Sequence, residues 1–170
     1  MKVDHLRRAL FFVVVCLVQV LVLNHIHLFD CATPLFYVYF IITLPYDCPR
    51  WASLLWGFSL GLVIDVFTNT PGVAAASLTA VSLLQPMMLG LFVQKENSEG
   101  FVPSLRTLRW SQFFTYSLTL VLIFCILFFS LETFHFFDFV WWAACVGGST
   151  LLTVLLIMVV ETVKKSKKLN

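Results

Sequence analysis

Apolar runs follow one another along this chain with almost no polar sequence between them. They cover 9–23, 28–44, 51–67, 73–93, 113–131 and 139–160, and the longest link, Gln94 to Ser111, is too short to fold as a soluble unit. Runs approaching 20 apolar residues are the length that crosses a bilayer as a helix. The composition agrees, with 60% hydrophobic and only 12% charged residues, outside the range of soluble globular domains. The chain is therefore expected to be all-α, a single integral membrane domain over 1–170 with six transmembrane helices.

Only the second run strains this reading. Asp30 and Pro34 interrupt its start and Pro45 ends it, leaving Leu35 to Leu44 as its clean core. Ten helical residues reach about 15 Å of a hydrocarbon layer roughly 30 Å thick. Charge placement decides whether it crosses. If it does, and the N-terminus is cytoplasmic, then Lys2, Arg7, Arg8, Arg50, Lys95, Arg106, Arg109, Lys164, Lys165, Lys167 and Lys168 all lie inside. If it does not, Lys2, Arg7 and Arg8 stand on one side against all the others, which the positive-inside rule disfavours. The expectation is a short second span, tilted or set in thinned lipid, with both termini cytoplasmic. No small-residue cleavage site follows Leu23, so the first helix is expected to stay in place. Cys16, Cys31, Cys48, Cys125 and Cys145 are odd in number and contain no Cys-x-x-Cys pair, so they read as small apolar fillers.

With no extramembrane domain, function must reside on helix faces and short loops. The sequence has no phosphate-cradling Gly-rich loop, no His-Glu-x-x-His pair and no nucleophile elbow, and it is read as non-enzymatic, with no cofactor or metal. The informative stretch is 57–72, where Asp65 is set in strongly apolar sequence. Gly57, Gly61 and Asp65 recur every four residues, which on a helix makes one stripe of two bare backbone patches leading to an acid. A lipid-facing carboxylate is costly, so the stripe should face protein. Pro71-Gly72 closes a tight turn into Ala74-Ala75-Ala76-Ser77, small enough to let two backbones approach. Gly57, Gly61, Asp65, Pro71 and Gly72 are thus the candidate packing or partner interface. Asp65 is either a cap for the positive start of the fourth helix or also the organiser of a partner contact, the second being preferred because intramembrane acids are functional by default.

Other features carry blander readings. His25 and His27 stand near Asp30 and Cys31, but residues two apart face opposite ways on a helix, so interfacial polar residues are favoured over a metal site. Glu132, His135 and Asp138 lie among Phe134, Phe136, Phe137 and Phe139 and read as an aromatic belt. Gly147-Gly148-Ser149 suggests close packing within the chain ahead of a dimer or partner-helix contact. Leu105-Arg106-x-Leu108-Arg109-Trp110 suits the headgroup layer, and the lysine-rich tail suits an anionic lipid surface. Nothing suggests nucleic acid.

Gly57-Phe58, Gly61-Leu62, Asp65 and Pro71-Gly72, in the middle of a six-run chain with a basic tail, together resemble the rod-shape-determining MreD family. Thr70-Pro71-Gly72 followed by alanines is most similar to its Bacteroidota branch. The motif likeness covers about residues 51 to 90. It implies a fold like the S components of energy-coupling-factor transporters and a non-enzymatic scaffold of the bacterial inner membrane. Such a scaffold supports cell shape and peptidoglycan synthesis through an MreC-like bitopic protein, and indirectly through MreB and the peptidoglycan synthases. The chain departs from the family in carrying Gln85-Pro86 where relatives have a basic residue before the proline, and in lacking a Pro-Leu-Gly motif. The alternative is a vitamin-binding S component or transporter, which would need several convergent polar groups at depth. The spans offer Asp65, Gln19, Gln85 and scattered Ser and Thr.

Overall fold

A computed structural model describes residues 2–22, 33–70, 72–92, 101–105, 107–132 and 139–166. These form α1 (Lys2–Leu21), α2 (Val38–Ile42), α3 (Arg50–Thr68), α4 (Val73–Gly90), α5 (Trp110–Glu132) and α6 (Phe139–Ser166), so the described chain is all-helical. Four helical segments, Arg50–Thr68, Val73–Gly90, Trp110–Glu132 and Val140–Ser166, are long and apolar enough to cross a membrane, while the apolar part of α1, Arg8–Leu21, is shorter. Apolar residues such as Leu10 and Leu17 on α1, Leu55 and Val66 on α3, and Leu151 and Leu155 on α6 are exposed, as a helical membrane protein requires of its lipid-facing surface.

The expected span over 28–44 is corrected. Of its described part, only Val38–Ile42 is helical, and every residue of that short α2 is buried. The cause is in the sequence: Pro34 and Pro45 bracket the run, each disfavouring helix at the residue before it, and Pro45 lacks the N–H that a continuing helix would need. A non-helical stretch in a bundle must find partners for each exposed N–H and C=O, and it finds them on side chains. Thr33 N–H donates to Ser149 Oγ (3.2 Å) and Leu35 N–H to Thr153 Oγ1 (3.0 Å), both on α6. Gln19 of α1 brackets the same stretch, its Nε2 donating to Pro34 O (3.1 Å) and its Oε1 accepting from Phe36 N–H (3.0 Å). At the other end Gln85 Nε2 donates to Leu44 O (3.2 Å), Tyr116 Oη donates to Ile42 O (3.3 Å), and Tyr46 N–H reaches Phe101 O (2.9 Å).

These pairings also give direction. Thr33 pairs with residue 149, Leu35 with 153 and Tyr39 with 161, so the segment descends alongside α6 in the same sense. Phe11 packs on Tyr39 and Phe40 while Gln19 holds Pro34, so α1 runs antiparallel to it. The core is the aromatic-rich volume around this segment, with Tyr37, Tyr39, Phe40, Phe113, Tyr116 and Phe124 among its largest fully buried side chains.

Two further helices have features that bear on their limits. α6 continues to Ser166, beyond the expected end at 160, because Glu161 is hydrogen-bonded by protein partners and does not have to leave the bundle. α4 runs through Pro86, whose missing N–H leaves Ser82 O without its helical donor. Ser53 Oγ on α3 supplies a long replacement bond to that carbonyl at 3.5 Å.

Candidate functional site

The four-residue spacing of Gly57, Gly61 and Asp65 puts all three on the face of α3 that meets α4, and all three are buried. At Gly61 the approach is closest: a Cβ there would lie 2.3 Å from Ala75 Cα and 2.5 Å from Ala75 N, so only glycine fits against this backbone. At Gly57 a Cβ would lie 2.1 Å from Ser82 Oγ, a side-chain atom, and 3.1 Å from Leu78 O. The stripe is therefore occupied by α4 of the same chain.

Asp65 completes the hairpin. Its Oδ1 accepts from Ala74 N–H and Thr70 Oγ1, both at 2.9 Å, and its Oδ2 accepts from Ala75 N–H at 2.9 Å. α4 begins at Val73 with no side-chain cap of its own from Gly72, so the acid of the preceding helix serves its open first turn. The positive end of α4 favours a carboxylate there. The turn that allows this geometry uses the left-handed region twice, at Asn69 (φ 57°), whose N–H bonds Asp65 O, and at Gly72 (φ 81°). Asparagine and glycine are the residues that adopt that region most readily. Thr68 Oγ1 and Thr70 Oγ1 lie 2.7 Å apart and buttress the acid. Pro71 lies outside the described residues.

A second buried acid, missed by reading the spans as ending at Val160, lies near the opposite end of the bundle. Glu161 is 4% exposed and, together with Lys164, ties α6 to α1, α2 and the link before α5. Its Oε1 accepts from Tyr39 Oη of α2, its Oε2 accepts from Leu105 N–H (3.2 Å) in the link before α5, and Lys164 Nζ stands 3.7 Å from Oε1. Lys164 also donates to Tyr39 Oη (2.6 Å) and lies 5.1 Å above the Phe11 ring of α1. The signal available in the sequence was an acid three residues before a lysine at the close of an apolar run, a spacing that places both on one helix face.

The other polar groups of the spans are committed in the same manner. Gln19 and Gln85 each bond backbone of residues 33–44, as do Ser149, Thr153 and Tyr116. Tyr37 Oη and Ser82 Oγ are among the exceptions, buried with no hydrogen-bond partner among the described residues. The cysteine reading is corrected at one position. Cys16, Cys48 and Cys125 are free, but Cys145 near the start of α6 is disulfide-bonded. Gly147 also departs from its expected close packing, since a Cβ there would meet nothing within 4 Å. His25, His27, Asp30, Cys31, Lys95, Arg106, His135, Asp138, Lys167 and Lys168 lie outside the described residues.

Chemically, Asp65 has three donors on its roughly four acceptor positions. It is built to hold two helices together. Comparison of the chain with protein-family models, with curated proteins and with solved structures gave no match.

Proposed function

We propose that this protein is a non-enzymatic membrane scaffold of the kind its MreD-like motif implies, acting in the bacterial inner membrane on cell shape and wall elongation. Its partners in that role are an MreC-like bitopic protein and, indirectly, MreB and the peptidoglycan synthases. The chain passes six times through the bilayer with both termini cytoplasmic, α1 and the broken segment 33–46 making the first two passages. The descent of 33–46 along α6, from Thr33 at Ser149 to Tyr39 at Glu161, supports that path. The orientation is supported by the two ends of α6. Cys145, near its start, is disulfide-bonded, which suits an oxidising outer face, and Lys164 and Lys165 stand in its last turn, which suits the inside.

One observation carries the scaffold reading over a solute-binding one. Gln19, Asp65 and Gln85, the polar groups at depth from which a transported solute would need recognition, are bonded to the chain's own backbone. In transporters with broken helices the freed backbone groups line the ligand site; here they are filled from within. The test is a strain depleted of this protein, complemented with wild type or with Asp65→Ala, scored for cell shape and for recovery of the bitopic partner from membranes. Loss of rod shape on depletion and reduced recovery with Asp65→Ala are expected. Normal morphology together with a defect in uptake of one solute would replace this reading with the transport one.

A further inference from the structure

Along α6 the residues Cys145, Ser149, Thr153, Ile157 and Glu161 recur every four positions, and all of them are buried. At that spacing they form one stripe. The stripe faces the broken segment: Ser149 Oγ accepts from Thr33 N–H, Thr153 Oγ1 from Leu35 N–H and Glu161 from Tyr39 Oη. From the first of these bonds to the second, two residues of the segment advance against four of the helix. Rise explains the ratio. Four helical residues cover about 6 Å, and two residues of near-extended chain cover about 7 Å. The register therefore repeats turn by turn for as long as the chain stays extended. One turn toward the outer end, Cys145 takes the place of Ser149, and position 31, also a cysteine, takes the place of Thr33.

Cys145 is disulfide-bonded, while Cys16, Cys48 and Cys125 are free. The chain holds five cysteines. We infer that Cys31 is the partner of Cys145, and that the bond is a redox-made staple fixing the outer end of the broken segment to α6. Count and register reach the same residue by separate routes. Thr33 and Leu35 each attach this end to α6 by a single hydrogen bond, weak on its own. A covalent link closing a loop over most of the chain removes far more freedom from the unseated state. The bond is made by exchange with an oxidised dithiol protein of the outer face. One cysteine thiolate attacks a sulfur of that protein's disulfide, and the second cysteine then displaces the protein from the mixed disulfide. Two electrons and two protons leave with the reduced dithiol, so one S–S bond is traded for another. The source of the bond rests on the orientation proposed above; the pairing does not, and neither depends on the assembly role.

The test begins with the full chain in its own membranes, acid-quenched and alkylated before purification, then digested without reductant and read by mass spectrometry. The peptides holding Cys31 and Cys145 should run as one species, two hydrogens lighter than the separate thiols, with Cys16, Cys48 and Cys125 alkylated. Alkylated Cys31, or a link from Cys145 to any other cysteine, would overturn the pairing. Hydrogen exchange then tests the staple. Reduction of the wild type, Cys31→Ser, Cys145→Ser and the double variant should each speed exchange at the Thr33 and Leu35 amides at least about tenfold. The four increases should be equal, because each removes the same single bond, and Cys48→Ser should leave both amides unchanged. Exchange that does not respond to reduction, or single-variant effects that add in the double variant, would overturn the staple. A strain without its extracytoplasmic thiol oxidase should accumulate Cys31 and Cys145 as thiols. A full yield of linked peptide from that strain would overturn the outer-face source, while the peptide map still decides the pairing.

Discussion

At the scale of single residues, Asp65 shows how an acid in apolar surroundings can be structural in its immediate contacts. Its carboxylate takes two amides of the first turn of α4 and one threonine hydroxyl, all at 2.9 Å. Removing it leaves those donors open in a medium without water. Asp65→Ala should therefore cost about 2–3 kcal/mol of stability in micelles, and Asp65→Asn clearly less, because an amide oxygen still accepts. Denaturant titration followed by circular dichroism measures this, and a cost below about 0.5 kcal/mol would show that the cap carries no weight. Glu161 works similarly at the other end, with Tyr39 Oη and Leu105 N–H as its donors. Glu161→Ala should speed deuterium exchange at Leu105 and lower stability by about 2–3 kcal/mol, since it leaves buried donors without an acceptor. Tyr39→Phe should do less, because it removes a donor together with its need. Unchanged exchange at Leu105 would mean that the acid does not hold the loop.

Among the elements, the α3–α4 hairpin rests on two close approaches of different kinds, and a suppressor experiment separates them. Gly57→Ala collides with Ser82 Oγ, and Gly61→Ala with the backbone of Ala74 and Ala75. Ser82→Gly should restore most of the stability lost by Gly57→Ala and none of the roughly 3 kcal/mol lost by Gly61→Ala, an overpacking cost that a helix backbone cannot relieve by rotating. Thermal unfolding of the four variants reads the pattern; rescue of both glycines by one serine change would refute it. This hairpin was legible in the sequence because a four-residue spacing, a turn signal and a run of alanines all point to one arrangement. The second element was legible only in part. Its burial among apolar neighbours was legible, but hydropathy cannot distinguish a regular helix from the five residues of α2 and an extended lead-in held by distant side chains. Its partners, Gln19, Gln85, Tyr116, Ser149 and Thr153, are spread from one end of the chain to the other, and no local pattern links them. Glu161 was lost for a related reason: a charged residue beside a lysine tail looks like the start of solvent until Tyr39 is folded against it.

For the whole molecule, the cysteines report how the bundle sits in the bilayer. Cys48, half-buried in the link before α3, lies at the inner face in the proposed orientation, and Cys16 and Cys125 are buried. Burial pushes the Cys48 thiol above its ordinary range, with the Arg8 charge opposing. A membrane-impermeant maleimide should thus label Cys48 in inside-out vesicles and not in intact cells, and its labelling should accelerate through a higher pH than a free thiol requires, because the thiolate is the reactive form. Labelling of Cys48 in intact cells would invert the orientation. The segment over 33–46 also sets an order of biogenesis. Gln85, Tyr116, Ser149 and Thr153, on which its amides and carbonyls close, all leave the ribosome after it does. A stretch with open backbone groups has no resting place in lipid by itself. It must be kept by the insertion machinery or at the bilayer surface until the last helix arrives, so one of the earliest parts to be synthesised is among the last to settle, and a nascent chain released before α6 has nowhere to seat it.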